Sequence, residues 1–358
     1  MLVYWRRSRW HRSPLVTALV AALATACVAC APRADDGVVW RFAIEEVRGS
    51  VQDAYAQRFK ALVEARTAGR VAVSVYPYGT LGTSDQLTEL AHMGALQLVT
   101  ASPGHLGSLI PEVQAFLLHY VFSPDDEVNR RVLRSPALRE HLDALYRAKG
   151  LRFLAILPEG WQVWTTNRPV RRPADFAGLK LRVMTSPLLL AAYAAYGADP
   201  TPLPYGEVYG ALQLGMIDGQ VNPVFAVQEM SFYEVTDYLT IPRQAPFVTT
   251  VASNPAFFDA LTPPERALVA AVVDELNDYV FDVQRRFNRE RLELIRQARP
   301  DLVISELTEP ERAAFRARSE SVRRDFVRQV GPSGQALLDL LDREVAHATA
   351  EVARESPS

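Results

Sequence analysis

The sequence has little cysteine: only Cys27 and Cys30 occur among 358 residues. Because both precede residue 31, the rest of the chain can form no disulfide and offers no thiol nucleophile. A chain of this length buries enough apolar surface to fold without disulfides or a structural metal. An excess of one charge is also lacking, since the formal net charge is −2. Without a basic surface, nucleic acid is not expected as a partner.

Motifs of catalysis are missing as well. The six histidines show no metal-ligand spacing, and the chain beyond residue 30 contains no HExxH, CxxC or GxSxG motif. No glycine-rich loop is present that could hold a phosphate. We therefore expect no metal site, no cofactor and no catalytic residue, and we expect that the protein is not an enzyme.

The first thirty residues have the pattern of an export signal. Arg6, Arg7, Arg9 and Arg12 precede an apolar stretch of residues 14–31 that contains no acidic residue. A basic segment followed by an apolar segment and small residues is typical of a secretory leader, here residues 1–30. The alternative is an uncleaved anchor, because the apolar stretch is nearly long enough to span a membrane.

The two cysteines lie where a lipoprotein leader ends. Residues 24–27 and 27–30 both resemble a bacterial lipobox. Diacylation of Cys30 or Cys27 would attach the protein to a membrane surface, so we expect a periplasmic or extracytoplasmic lipoprotein. Cleavage nearby without a lipid is the alternative.

Strand and helix patterns alternate from residue 40 onward. A strand is expected at 40–44, a helix at 51–65 and a strand at 71–76, where apolar residues alternate. Another strand is expected at 151–157, ended by Pro158-Glu159-Gly160, with a separate strand at 163–166. This alternation indicates an α/β fold.

The C-terminal part has a helical pattern. Thr262, followed by two prolines and Glu265, combines an N-cap, a proline start and a capping box. The apolar rhythm continues to about Ala298, which gives a helix of roughly 50 Å that could brace two lobes. Thr308 begins a second capping box, and its helix is expected to run through Val330.

Polar residues at strand ends are the candidate ligand contacts. Arg182 lies in a short strand, where a planar guanidinium could take a carboxylate in bidentate fashion. Glu45 and Glu46 end the first strand, where ligands of open α/β sheets bind. Asn222 could offer its amide to the same ligand. On spacing alone, a surface ion pair for Arg182, a solvated loop for the two acids and a turn at Asn222 remain open alternatives.

Aromatic residues are frequent in the middle of the chain. Most are expected in the core, and a subset could form a box around a flat or cationic ligand. The candidates are Trp161, Trp164, Tyr205, Phe225 and Phe247.

Several segments, taken in order, resemble the substrate-binding proteins of TRAP transporters, the dicarboxylate-binding-protein-like family. They are residues 79–82 (GTLG), 178–183 (GLKLRV), 200–213 (PTPLPYGEVYGALQ), 217–223 (IDGQVNP) and 232–235 (FYEV). The resemblance covers residues 40–341. It implies a two-lobe periplasmic-binding-protein fold of the α/β class with a long helix spanning both lobes.

The resemblance also implies a division of the chain and two binding roles. Lobe I is expected to comprise 38–159 plus 248–287, and lobe II 160–247 plus 288–345. Arg182 is expected to hold the ligand carboxylate with help from Asn222.

Within that family, the sequence is similar to the ectoine and hydroxyectoine binders. The similar segments are residues 40–46, 51–53, 102–104, 107–111 and 184–189. This similarity implies that Glu46, or else Glu45, pairs with the cationic ring of the ligand, while Arg182 takes its carboxylate. Such an arrangement would complement a zwitterion.

The chain also departs from the ectoine binders. His105 replaces an expected aromatic residue, Tyr205 and Phe247 replace expected tryptophans, and Trp161 stands at an acidic position. Either Trp161 and Phe225 rebuild the aromatic box, or the ligand is another organic acid. Gln162 stands where sialic-acid binders carry arginine, which disfavours sialic acid.

We therefore expect a solute-binding protein that captures a small carboxylate or zwitterion and delivers it to TRAP membrane permease subunits. A lipoprotein that reports ligand occupancy to a signalling partner is the alternative, because the fold would serve either purpose.

Overall fold

A computed structural model describes residues 37–355. The leader and the proposed lipidation sites Cys27 and Cys30 lie outside the described residues. Within residues 37–355, no helix has both the length and the apolar character required for a membrane span.

Strands and helices alternate along most of the chain. The strands are β1 Val38–Ala43, β2 Val71–Tyr76, β3 Leu98–Ala101, β4 Arg152–Thr166, β5 Lys180–Val183, β6 Asp199–Pro202, β7 Gly219–Pro223, β8 Tyr238–Ile241, β9 Pro246–Ser253 and β10 Val303–Glu306. The α/β class predicted from the sequence is confirmed.

Helices cover the sheet and form the C-terminal part. They are α1 Val51–Arg66, α2 Ser84–His92, α3 Pro103–Leu106, α4 Asp126–Arg134, α5 Pro136–Ala148, α6 Pro187–Tyr196, α7 Val208–Gln213, α8 Val224–Glu229, α9 Pro255–Ala260, α10 Pro263–Ala298, α11 Glu309–Val330 and α12 Pro332–Glu355. Short 3₁₀ turns lie at Pro111–Leu117, Pro173–Phe176, Tyr205–Glu207 and Phe232–Glu234.

The strands form one continuous array with two parts. Its order is β2-β1-β3-β9-β4-β7-β5-β6, with β8 paired to β4 and β10 paired to β8. The first part of β4 pairs antiparallel with β9, and its last residues pair antiparallel with β7 and β8. Strand β4 therefore belongs to both parts of the array.

One sequence expectation about β4 is wrong. The sequence predicts a strand ending at Pro158 and a second strand at 163–166, but β4 runs without interruption for 15 residues. The ladder with β9 is irregular between Pro158 and Gly160, as at a β-bulge. A bulge admits a proline because the ladder hydrogen bond is already interrupted there.

Helix α10 is the long helix predicted from the sequence. It spans 36 residues, and Thr262 and Glu265 form the expected capping box at its start. It packs on α1, β4 and α8. Its apolar face, which includes Val272, Leu276 and Val280, joins a core cluster that also holds residues of β1 and α1.

Candidate functional site

Two acids follow strand β1, and both are buried. Glu45 and Glu46 are each 6% exposed. The Glu45 amide donates to Gln52 Oε1 at 2.9 Å and to Thr100 Oγ1 at 3.0 Å, which fixes the backbone at the strand end. The Ser102 amide donates to Glu45 Oε2 at 2.8 Å. The solvated loop considered from spacing is therefore wrong for these two acids.

Glu46, like Glu45, has one carboxyl oxygen without a hydrogen-bond partner among the described residues, and its neighbours are acidic. Its Oε2 is buried and accepts no hydrogen bond from the described residues. Burial, followed by the charges of Glu159 and Glu229, raises the pKa of the Glu46 carboxyl well above its ordinary value. Glu46 is therefore an acceptor surrounded by negative groups, a setting that a cation would stabilise.

Arg182 is a buried cation. Its side chain in β5 is 1% exposed, and its Nε and Nη2 donate to the Leu203 carbonyl at 2.9 and 2.7 Å. No ion pair joins it to a carboxylate within residues 37–355, so the surface ion pair is wrong. Burial lowers the pKa of Arg182 to about 10. A buried charge without a counter-ion is costly, so an anionic ligand would stabilise it.

These groups line one pocket. The lining residues are Glu45, Glu46, Gln52, Ser84, Ser102, His105, Arg182, Met184, Tyr205, Asn222 and Phe247. The pocket thus combines two carboxyl groups, a guanidinium, two side-chain amides, an imidazole and the rings of a tyrosine and a phenylalanine.

Six of the eight residues predicted to contact ligand line this pocket. They are Arg182, Asn222, Glu46, Tyr205, His105 and Phe247. Their placement together is what the prediction required, and their contact with a ligand stays a prediction.

Asn222 lies in strand β7, not in the turn considered from spacing. Its Nδ2 donates to Gln220 Oε1 at 2.5 Å, and Gln220 Nε2 donates to Thr165 Oγ1 at 2.9 Å. This chain of side-chain bonds holds the Asn222 amide at the pocket wall.

Tyr205 packs its ring against other aromatic rings, while its hydroxyl has no hydrogen-bond partner among the described residues. Its ring makes edge contacts with Tyr78 and Phe232, with centroids 5.7 and 6.0 Å apart. Its Oη is buried and has no hydrogen-bond partner among the described residues. A hydroxyl in this position can bond a polar group of a solute.

His105 lines the pocket and bonds to an acid outside the lining. Its Nδ1 lies 3.1 Å from Asp85 Oδ1. Burial alone would lower the pKa of His105, but the hydrogen bond to Asp85 and the charges of Glu45 and Asp85 outweigh burial and raise it. His105 is thus held by an acid and faces another.

Trp161 and Phe225 do not line this pocket, so the structure does not support a rebuilt box that includes them. Trp161 Nε1 donates to Asp126 Oδ1 at 2.8 Å on α4. Phe225 is fully buried in the cluster that packs against α10. The ring of Phe225 lies in the core because α8, which carries it, packs directly on α10.

Sequence reasoning missed four lining residues and one supporting acid. Gln52, Ser84, Ser102 and Met184 line the pocket, and Glu159 lies behind it. Three of the lining residues fall in or beside segments noted for their family similarity, but no residue-type signal marked them. From the sequence, Glu159 was noted only as part of Pro158-Glu159-Gly160, the segment expected to end a strand.

A pocket that holds two acids together with an arginine lacking a carboxylate partner among the described residues is typical of proteins that bind a small anionic or zwitterionic solute. The chain belongs to the bacterial extracellular solute-binding protein family 7, DctP, whose model matches residues 42–329. The predicted membership of the TRAP solute-binding proteins is confirmed.

Two relatives illustrate the similarity. The ectoine-binding periplasmic protein TeaA of Halomonas elongata is 40% identical over 301 residues, 84% of this chain and 88% of that protein. The ectoine/5-hydroxyectoine-binding periplasmic protein UehA of Ruegeria pomeroyi is 39% identical over 333 residues, 92% of this chain and 98% of that protein.

Solved structures agree with the sequence relatives. The ectoine-binding protein of the Halomonas elongata TeaABC TRAP transporter matches with a TM-score of 0.84 and 38% identity, over 86% of this chain and 99% of that one. A TRAP periplasmic solute-binding protein of Marinobacter aquaeolei, in an apo open state, matches with a TM-score of 0.81 and 44% identity, over 85% and 100%. The predicted periplasmic-binding-protein fold with its long helix is confirmed.

Proposed function

We propose that this chain captures a small zwitterion of the ectoine type outside the cytoplasmic membrane and delivers it to a TRAP permease. The observation that carries the proposal is the buried Arg182, which lacks a carboxylate partner within residues 37–355 and faces the same pocket as Glu46. A ligand carboxylate supplies the missing counter-ion of Arg182. The cationic end of the same ligand pairs with Glu46.

The free guanidinium edge favours a carboxylate as the anion. Nε and Nη2 of Arg182 are committed to the Leu203 carbonyl, so the guanidinium is held in one plane. Nη1 and the second N–H of Nη2 remain for the two oxygens of a ligand carboxylate, and the Asn222 amide lines the same pocket. A planar carboxylate matches donors held in this fixed arrangement.

The proposed motion is closure of two lobes on the solute. The lobes comprise 38–159 plus 248–287 and 160–247 plus 288–345. This division is supported by β4, whose partners change from β9 to β7 and β8 near residue 161. Closure excludes water from the pocket and strengthens both ion pairs.

A lipid on Cys30 or Cys27 would hold the protein at the membrane surface, as a second part of this proposal. Mass spectrometry of the protein extracted from its host membrane tests it. Retention in the membrane fraction after both cysteines are changed to alanine would contradict lipid anchoring.

Calorimetry on variants of β5 tests the proposed function. We expect ectoine or hydroxyectoine to bind the wild type and Arg182→Ala to lose about 3 kcal/mol or more, at least about 100-fold in affinity, because it removes the only proposed counter-ion of the carboxylate. Arg182→Lys keeps the charge but not the planar fork, and we expect an intermediate loss.

Lys180→Ala is the matched control, because Lys180 lies two residues earlier on the same strand and is exposed. It should bind like the wild type. Full affinity in a folded Arg182→Ala variant contradicts the role of Arg182. Binding of plain dicarboxylates but not of ectoines would keep solute capture and reject the zwitterion.

A further inference from the structure

A fourth acid lies behind the pocket, at the bulge of β4. Glu159 is fully buried, between the two residues where the ladder with β9 shifts register. Bulges re-aim side chains, and this one turns the Glu159 carboxyl toward Glu46. Asn288 of α10 fixes the backbone there, since its Nδ2 donates to the Glu159 carbonyl at 2.8 Å.

The hydrogen bonds of Gln52 determine what Glu159 can accept. Gln52 Oε1 accepts from the Glu45 amide at 2.9 Å and from Thr100 Oγ1 at 2.6 Å. Because these two donors identify the amide oxygen, Gln52 Nε2 must face Glu159, to whose Oε1 it donates at 3.1 Å. One oxygen of Glu159 is thereby satisfied.

The other oxygen of Glu159 has no assigned hydrogen bond among the described residues, although the Thr249 side chain lies close enough to lower the pKa of Glu159 as a hydrogen-bond partner. Glu159 Oε2 and Glu46 Oε2 are both buried without an assigned hydrogen bond in the part of the chain that the structure describes. Yet each carboxyl influences the pKa of the other as a hydrogen-bond partner, which means that the two carboxyls are neighbours. An ionised carboxylate is only an acceptor, so two of them can bond directly only when one carries a proton.

We propose that Glu46 and Glu159 share one proton across their facing carboxyls, and that Glu159 thereby sets the charge Glu46 presents to the cationic end of a solute. This inference rests on the proposed function and deepens it. Glu159 is a positioning residue, because it acts through Glu46. A solute cation beside the pair favours its ionised form, so binding releases the shared proton to solvent.

The charges around the pair favour retention of the proton in the empty pocket. From the segment that follows β1, Glu45 faces both carboxyls, and from α8, Glu229 faces Glu46. Burial raises the pKa of Glu159 to about 7 and that of Glu229 to about 8. Nearby Tyr205 is neutral.

The described cations near the pair do not neutralise it. Arg291 of α10 lies 3.7 Å from Glu229, and His105 of α3 is paired with Asp85. Arg182 of β5 lines the same pocket, but its charge is not among the main influences on the pKa of Glu46 or of Glu159. A second negative charge on the buried pair is therefore disfavoured without a solute.

The first arm of the test uses the empty protein. Infrared spectra of the full chain at pH 7 report protonated carboxyls, and Glu229→Gln provides a background free of that separate buried acid. In this background we expect Glu46→Gln and Glu159→Gln each to remove the same carboxylic-acid band. A band that survives both single substitutions overturns the shared proton.

The second arm measures protons released on binding. Titration of ectoine at pH 6 to 7 in buffers of different ionisation enthalpy should show release of up to about one proton for the wild type, with affinity rising by up to about tenfold per pH unit. Glu159→Gln should lose most of this release and flatten the pH profile. Glu290→Gln, which removes an exposed acid of α10, is the matched control and should keep it.

The two arms separate the two proposals. Absence of ectoine binding rejects the proposed solute, while the infrared arm still decides whether the pair shares a proton. Ectoine binding with no proton release by the wild type overturns the exchange of proton for cation. An unchanged pH profile in Glu159→Gln overturns the positioning role, because a purely structural residue would not alter that profile.

Discussion

Single residues determine which charge the pocket accepts, and Glu46 is the residue that separates a zwitterion from a plain carboxylate. Glu46 and Glu45 both line the pocket and have one oxygen without a partner among the described residues, but the other oxygen of Glu45 accepts from the Ser102 amide, and no such bond holds Glu46. A ligand without a positive charge gains nothing from Glu46 and is repelled by it. The discrimination is thus a difference between two ligands at one residue.

We expect Glu46→Gln to weaken ectoine by roughly 10- to 100-fold, since a charge-assisted contact becomes a neutral one. Binding of succinate should fall little or rise, because a negative group leaves the pocket. Calorimetry with both ligands measures the difference. Equal losses for ectoine and succinate would reject Glu46 as the cation partner, and a larger ectoine loss in Glu45→Gln would transfer the role to Glu45.

Among the secondary-structure elements, β4 is the strand that changes partners along its length. It passes from the β9 ladder to the β7 and β8 ladders through the bulge at Pro158–Gly160. Gly160 has φ +113°, and a Cβ there would collide with the Asn288 side chain. That side chain also accepts a hydrogen bond from the Phe225 amide at 3.2 Å, so it connects β4, α8 and α10.

We expect Gly160→Ala to lower the free energy of unfolding by about 1–3 kcal/mol, because it combines backbone strain with displacement of Asn288. Urea unfolding measures the change. Gly210→Ala provides the matched control, since Gly210 lies in α7 at ordinary φ and an added Cβ would meet no atom within 4 Å, and it should be neutral or stabilising. Equal stabilities for the two variants would show that the contact is dispensable.

Elements with local signals were predictable from the sequence. Thr262 with Glu265 and Thr308 with Glu311 marked the starts of α10 and α11, because a capping box needs residues only three apart. The sequence predicts the two halves of β4 as separate strands because proline and glycine normally end a strand. Strand β4 continues past Pro158 and Gly160 because a bulge accommodates them and because Asn288, far away in sequence, bonds to the backbone there.

The site residues also divide into those that local sequence signals reveal and those whose position depends on tertiary contacts. Arg182, Asn222 and Glu46 could be proposed because strand ends and family-like motifs bring them to notice. Trp161 and Phe225 could not be placed, since an aromatic residue is equally suited to a core and to a ligand box. The role of Glu159 could not be predicted from the sequence, because it depends on the Glu46 carboxyl and on the orientation of Gln52. Tertiary contacts determine both.

At the scale of the whole molecule, few elements contact both parts of the strand array. Strand β4 belongs to both, and α10 packs on α1, which lies on β2, and on α8, which lies against β7. Relative motion of the proposed lobes therefore involves β4 and α10, and also α12, which packs on α4 of lobe I and on α11 of lobe II. The pocket residues come from both sides, with Glu46 following β1 and Arg182 in β5.

Small-angle X-ray scattering tests that motion directly. We expect saturating ectoine to reduce the radius of gyration of the wild type, because Arg182 and Glu46 bind opposite ends of one solute and so draw the two proposed lobes together. Arg182→Ala at the same ectoine concentration should keep the larger radius, and Lys180→Ala should contract like the wild type. Calorimetric binding without contraction would mean that the solute enters a pocket already closed, and the lobe boundaries proposed above would then lose their role in capture.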